Sequence, residues 1–534
     1  MAITLDDNVP DGTTTTAIRG ARVIDGTGRD GFTADVVITG DRISHVGDGA
    51  GIAVQQEIDG AGRVVCPGFI DLHSHVDLII DDHPRADGML RQGATTLVTG
   101  NCGLSPFPGT GEGPTDLASF TRTARALPLG PNLAPLVGHG QVRTAAMDDP
   151  GRPASETDLE RMRTMVASAM EQGALGLSTG LIYDPGRFAD TDELIALAAE
   201  VQRHGGFYAS HIRGEDDRLV GAVDEAIRIG RDAGVPVQLS HHKAKRRRNW
   251  GAVERTLAMV DDAVAAGADV SLDAYPYTAS STGLWAYLPD WARRDDLLPL
   301  RDAFPADLRE RVLAGIEERF PGSRNHPQVE TDLSDLSISQ VGTPCSFSRY
   351  EGTRLHDAVD DAGVSQAEFV LDALLTAGTV QIIDHAMSAD DMRTVYRHPR
   401  CGVGSDARPV HVDIPGVPHP RNFGTYPRFL AETVPSLLSL EQAIHKCTGL
   451  PAQRLGDGFD RGVLRPGAAA DLLLFDPQNF ADNSTFADPK HYATGLDLVM
   501  VNGVVVVDDD RDTGRPAGRV LLRPGVELDD EGAA

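Results

Sequence analysis

The stretch Thr157–Gly180, "TDLERMRTMVASAMEQGALGLSTG", decides how this chain is built. Thr157 and Glu160 stand at the spacing of a capping box, which predicts a helix starting there. Leu159, Met162, Met165, Val166, Ala169 and Met170 then fall on one face at helical period, and Gly173 ends the run. Directly afterwards "ALGLSTG" takes on the texture of a buried strand.

The same unit repeats. Strand-like runs alternate with helical patterns through the middle of the 534-residue chain: "FIDLHSH", "TTLVTGNC", "LAPLVGHG", "ALGLSTGL", "GFYASHIR", "VPVQLSHHK", "DVSLDAYPY" and "CGVGSD". Alternation of this kind forces a parallel sheet, and eight units predict an α/β fold of the closed (β/α)₈, TIM-like type over residues 66–455. The interval 282–378 is too long for one connection and is expected to form an inserted subdomain. Both chain ends, residues 1–65 and 456–534, read instead as short strands with turn punctuation.

Composition narrows the function. Forty-nine basic residues against 78 acidic ones leave a net charge of −29, a field that repels nucleic acid and anionic membrane. No run of eighteen apolar residues occurs, and "MAITLDDNVPDGTTTT" lacks the basic start and apolar core of a signal peptide, so a cytoplasmic protein is expected. The five cysteines, at 66, 102, 345, 401 and 447, form no CxxC pair and no disulfide framework.

The chemistry gathers at strand ends. The first candidate strand ends in His73 and His75, the second in Cys102, the fifth in His211, the sixth in His241 and the eighth in Asp406. The C-terminal tips of barrel strands are the catalytic face of this architecture. Residues 73 and 75 of an extended strand point to one side, so both imidazoles can face one ion. Imidazole, thiolate and carboxylate together suit zinc or a similar divalent metal.

At this point the motifs become specific. "PGFIDLHSHVD" resembles the His-x-His opening of the amidohydrolase superfamily. "GNCGLSP", "GLIYDPG", "YASHIRGE", "LSHHKA", "DAYPYTASST", "GSDARP" and "PHPRNFGTYPRFL" together resemble the N-acyl-D-amino-acid deacylases, or D-aminoacylases. The resemblance implies that the chain-end strands form a small β-sandwich. It also implies a zinc-dependent enzyme that hydrolyses the amide of a small N-acyl-D-amino acid to a carboxylate and a free D-amino acid. Cys102, His211 and His241 would hold the main zinc, and His73, His75 and Asp406 a second, weaker metal position. A carbamylated lysine bridges the metals of many amidohydrolases, but no lysine precedes Lys243 here, and the family uses the GNCG cysteine instead. Asp406 is the expected general base, its plainer role being that of a passive ligand. Lys243, Tyr275, Ser281 and Arg421 match the positions that hold the substrate carboxylate.

Two other readings stay open in the sequence: a cyclic amidase of the hydantoinase or dihydroorotase kind, and a non-catalytic binding protein on the same fold. Two local features are unassigned. "KAKRRRNW", Lys243–Trp250, reads either as a solvated loop neutralising nearby carboxylates or as a funnel for an anionic substrate. After Asp406 the chain runs Ala-Arg-Pro where the family has glycine, which points to an altered pocket wall.

Overall fold

Eight parallel strands make the barrel in the computed structural model, which describes residues 14–526 and 528 apart from 112, 290, 320–334, 409, 410 and 457. The N-terminal stretch read for a leader falls outside the described residues up to position 13, as does the end of the C-terminal tail. The strands are Phe69–Asp71, Ala94–Thr99, Asn132–Pro135 continued by Val137–Gly138, Gly176–Gly180, Phe207–His211, Val237–Leu239, Val270–Ala274 and Cys401–Val403. Each pairs in parallel with the next; the third meets the second along its first half and the fourth along its second. The ends of the row meet as well. Leu72 N donates to Val403 O (3.4 Å), His75 N donates to Ala407 O (2.9 Å), and Ser74 bridges Ala407 in parallel. All the barrel strand residues are buried, as expected of a parallel sheet covered on its outside by helices.

The helix of the quoted stretch runs from Glu156 to Glu171, starting two residues earlier than its sequence suggests. Ser155, not Thr157, is the N-cap, in a reciprocal box with Asp158. Both frames satisfy the motif, but Arg152 pairs with Asp158 at 2.8 Å and Ser155 Oγ also bonds that carboxylate (2.6 Å), which favours the earlier start.

Between the seventh and eighth barrel strands lies a three-stranded antiparallel sheet, Ser280–Gly283, Val380–Asp384 and Leu336–Val341. Helices Ala306–Arg319, Leu355–Ala362 and Gln366–Ala377 accompany it. Leu284, Val312, Ile316, Leu371 and Ile382 belong to an apolar cluster of its own, separate from that of the barrel.

The chain ends share a nine-stranded sheet in which Val64–Pro67 pairs antiparallel with Leu472–Phe475. Its far strand, Arg42–Gly47, returns to the other side, Ile43 N donating to Ala468 O at 2.9 Å, so the sheet curls around Ile18, Val36, Leu472, Leu474 and Met500. Beneath it the buried Asp471 accepts from Arg461 Nε (2.8 Å), Asn132 Nδ2 (2.9 Å) and Asn502 N (2.6 Å), tying sheet to barrel. Among the described residues no helix is long and apolar enough to cross a membrane.

Candidate metal centre

Six strand-end residues converge at the mouth of the barrel. Cys102 Sγ stands 3.3 Å from His73 Nε2, 3.6 Å from His211 Nδ1 and 3.7 Å from His241 Nε2. Asp406 Oδ1 lies 3.6 Å from His73 Nε2 and 3.2 Å from His75 Nε2. All six are buried. Three overlapping triads, His73–His75–Cys102, Cys102–His211–His241 and His73–His241–Asp406, hold their donor atoms within 4.8 Å of one another.

These residues fit a metal on grounds of distance and of charge. Nitrogen and sulfur donors at ~2.0 and ~2.3 Å from one tetrahedral zinc must stand ~3.5 Å apart, and the three contacts of Cys102 bracket that spacing. The ring nitrogens that face the cluster are His73 Nε2, His75 Nε2, His211 Nδ1 and His241 Nε2, so four imidazoles turn one donor each toward the same small volume. Burial pushes the Cys102 thiol well above its ordinary pKa, and burial holds His73 and His211 well below theirs. Neutral imidazole is the ligating form, and a divalent cation is what makes a buried thiolate affordable.

The backbone places these donors at a cost. Cys102, His241 and Asp406 adopt left-handed conformations, with φ of 54°, 37° and 52°. The GNCG turn is tightly enclosed: a Cβ on Gly100 would come within 2.1 Å of Leu136 O, and one on Gly180, at the end of the fourth strand, within 2.2 Å of Cys102 O. Around His241, Asp273 Oδ1 accepts the backbone N–H (2.8 Å), while Glu215 Oε1 lies 3.1 Å from Nδ1. An imidazole ligating through Nε2 keeps its proton on Nδ1, and Glu215 is placed to accept it. Burial raises the Glu215 carboxyl, but Lys243, His211 and His241 outweigh it and hold it well below the usual range. Asp406 is depressed in the same way: burial raises it, and Arg421 with His75, His241 and His73 overrides that.

A cavity of about 530 Å³ opens onto His75, Cys102 and Asp406. Of the residues matched to carboxylate binding, Ser281 and Arg421 line it. Arg421 Nη1 makes an ion pair with Asp406 Oδ2 at 2.8 Å, and its buried Nε has no hydrogen-bond partner. Lys243 and Tyr275 instead line a separate, smaller pocket with His241, His242 and Met387. Lys243 Nζ is held by Glu215 Oε1 (2.5 Å) and His241 O (2.7 Å). The Tyr275 ring carries the Arg421 guanidinium at 4.9 Å and Lys243 Nζ at 5.5 Å. His242 points away from the cluster to Thr256 Oγ1, 2.8 Å away.

Sequence reasoning missed Glu215. Its signal was a carboxylate four residues beyond His211, in the loop leaving a ligand-bearing strand. The "KAKRRRNW" cations are mostly paired: Lys245 and Arg246 reach the buried Asp384 at 2.7 and 2.8 Å, and Arg248 reaches Asp217 at 2.6 Å. The run neutralises carboxylates, the plainer of its two readings.

Comparison with known proteins agrees with this geometry. The amidohydrolase family model matches residues 56–507. An N-acyl-D-glutamate deacylase of Alcaligenes xylosoxydans xylosoxydans is 36% identical over 522 residues, 95% of this chain and 96% of the relative. A D-aminoacylase of the same organism is 35% identical over 523 residues, 95% of this chain and 97% of its own length. The crystal structure of N-acyl-D-glutamate deacylase from Bordetella bronchiseptica, complexed with zinc and a phosphonate mimic of the tetrahedral intermediate, superposes with a TM-score of 0.80 at 32% identity, covering 96% of this chain and all of that one. The chain belongs to the amidohydrolase family and, within it, to the N-acyl-D-amino-acid deacylases.

Proposed function

We propose that this protein is a zinc-dependent hydrolase that cleaves the amide of N-acyl-D-amino acids, releasing a carboxylate and a free D-amino acid. The observation that carries this reading is Cys102 facing His73, His211 and His241 at metal-donor spacing on the floor of a substrate-sized cavity. Cys102, His211 and His241 would hold the main zinc, with His73, His75 and Asp406 around a second, weaker position. When bound, the metal supplies Lewis acidity, acidifying water and polarising the acyl carbonyl.

The side chains divide the remaining work. Asp406 is the base: its depressed pKa keeps it ionised, so it can take a proton from the attacking water and pass it to the leaving amine nitrogen as the C–N bond breaks. Arg421, with an unpartnered Nε beside the cavity, binds the α-carboxylate, and Ser281, which lines the same cavity, adds a hydroxyl. Tyr275 supports that arginine through its ring, and Lys243 steadies His241 by donating to its backbone carbonyl. A cysteine, Cys102, among the metal-donor residues and no lysine ahead of residue 243 speak for linear amides over the cyclic amides of hydantoinases. A complete donor set speaks against a merely binding protein.

The proposal extends to the chain's organisation: residues 66–455 as the catalytic barrel, 282–378 as an insertion within it, and 1–65 with 456–534 as the small β domain. The separate apolar clusters of insertion and chain ends support that division. Five free cysteines suit a reducing cytoplasm, and a net charge of −29 suits a small-molecule substrate rather than nucleic acid or membrane. The test is a panel of N-acetyl-D- and N-acetyl-L-amino acids beside a hydantoin, with ninhydrin detection of released amine for the acyl amino acids and chromatographic detection of the opened hydantoin ring. Amine from the D series alone, abolished by chelation and restored by zinc, is expected. Ring opening of the hydantoin with no D-amino-acid release would overturn the reading.

A further inference from the structure

Four arginines line the cavity, Arg187, Arg294, Arg408 and Arg421, against two carboxylates, Asp184 and Asp406. Arg187 pairs with Asp184 at 2.5 Å, Arg421 pairs with Asp406 at 2.8 Å, and Arg294 Nε donates to Gly378 O at 3.4 Å. Arg408 is the fourth. Among the described residues its guanidinium makes no hydrogen bond and no ion pair, although it is exposed to the cavity.

Its root is nevertheless fixed. Arg408 N donates to Asn422 Oδ1 (3.2 Å), next to Arg421; Asp406 N donates to His73 O (2.8 Å); and Ala407 bridges Ser74. The guanidinium thus leaves the wall two residues from the expected base, on a segment anchored to the metal-binding strand. Its neighbour Arg421 is engaged by Asp406, so the Arg408 guanidinium faces the cavity with no anion from the described residues.

We propose that Arg408 is a specificity-determining residue that binds a second carboxylate of the substrate, one beyond the α-carboxylate assigned to Arg421. This rests on the deacylase reading above. The second carboxylate can sit on the amino-acid side chain or at the far end of the acyl group; either presents the same chemistry to a guanidinium. Arg408 touches substrate but none of the reacting atoms, so its effect should fall mainly on KM.

The experiment compares acid with amide isosteres on the zinc-loaded enzyme. N-acetyl-D-glutamate is set against N-acetyl-D-glutamine, and N-succinyl-D-alanine against N-succinamoyl-D-alanine, for the wild type, Arg408→Gln and Arg408→Lys. In one of the two pairs the wild type should prefer the acid about 10- to 100-fold in kcat/KM, the range of a charge-assisted hydrogen bond. Arg408→Gln should collapse that ratio through KM, and Arg408→Lys should recover part of it. The pair that responds identifies which end of the substrate bears the charge. Wild-type enzyme that turns over amides as well as acids in both pairs overturns the proposal without any variant, as does a ratio that survives Arg408→Gln. A failure to hydrolyse any of these four compounds or N-acetyl-D-methionine, added as a neutral control, would instead strike the deacylase reading itself.

Discussion

Cys102, His241 and Asp406 each sit in a backbone region that side-chain-bearing residues seldom enter, at a cost of about 1–3 kcal/mol apiece. The cost is met because each turn aims a donor that ordinary strand geometry would point into the barrel wall. Their roles separate on substitution. Cys102 touches three histidines, so Cys102→Ala should strip both zinc and activity, whereas Cys401→Ala, in a strand residue outside the donor triads, should keep both. Asp406→Asn should retain the main zinc, whose other donors are intact, yet lose about 10²- to 10⁴-fold in kcat, because an amide cannot take the water proton. Elemental analysis beside steady-state kinetics checks the contrast; full zinc occupancy in Cys102→Ala would remove the cysteine from the metal site. The ligand set was legible because each member ends a strand. Glu215 and Arg408 were not, because nothing in one sequence says which loop carboxylate reaches His241 or which arginine lacks a partner.

At the level of elements, the basic loop after the sixth barrel strand is a latch. Lys245 and Arg246 grip Asp384 at the end of the strand Val380–Asp384, and Tyr287 Oη donates to the same carboxylate at 2.6 Å. The insertion is thereby fixed to the barrel through one buried acid. Burial raises the Asp384 carboxyl, but Lys245 and Arg246 prevail and depress it far below the ordinary range. A depressed carboxyl contributes stability that is complete above its unfolded pKa of about 3.9 and is lost as pH falls through the folded value. Asp384→Ala, which leaves two buried cations unpaired, should cost about 3–5 kcal/mol at pH 7. Asp384→Asn should also flatten the loss of stability below about pH 4. Urea titrations at pH 7 and pH 3 measure both, and an unchanged midpoint at pH 7 would rule out the latch. The run's five cations in six residues were plain in the sequence. The acid that Lys245 and Arg246 share lies 138 residues on from Arg246, a separation that local pattern cannot reveal.

For the whole molecule, the eight strands could be read off because a parallel barrel buries each of them on both faces, giving short apolar runs at regular intervals. The curled sheet of the chain ends was legible only as strand texture, since its pairings join residues separated by most of the chain. Metal and fold should be linked globally. The donors come from five barrel strands, so an ion bound among them stabilises the closed ring by RT ln(1 + [Zn]/Kd), about 1.4 kcal/mol per tenfold rise in free zinc above Kd. Thermal melts should therefore climb with buffered free zinc in the wild type and stay flat in Cys102→Ala. A melting temperature independent of zinc would mean that the ring closes without it.

The pairing of Val64–Pro67 with Leu472–Phe475 also sets a timetable for biosynthesis. Thr15–Val23 and its neighbours are made well before their partners: one edge of their sheet stays unpaired until roughly 400 further residues have been made, ~20–80 s at about 5–20 residues per second. Through that interval the N-terminal strands present an open edge and an apolar face, with Ile18, Val36 and Ile38 waiting for Leu472 and Leu474. The barrel, whose strands pair with near neighbours in order, can close while they wait. The newborn chain is thus most exposed to chaperones and proteases at its beginning, and it is released from that exposure only by its last strands.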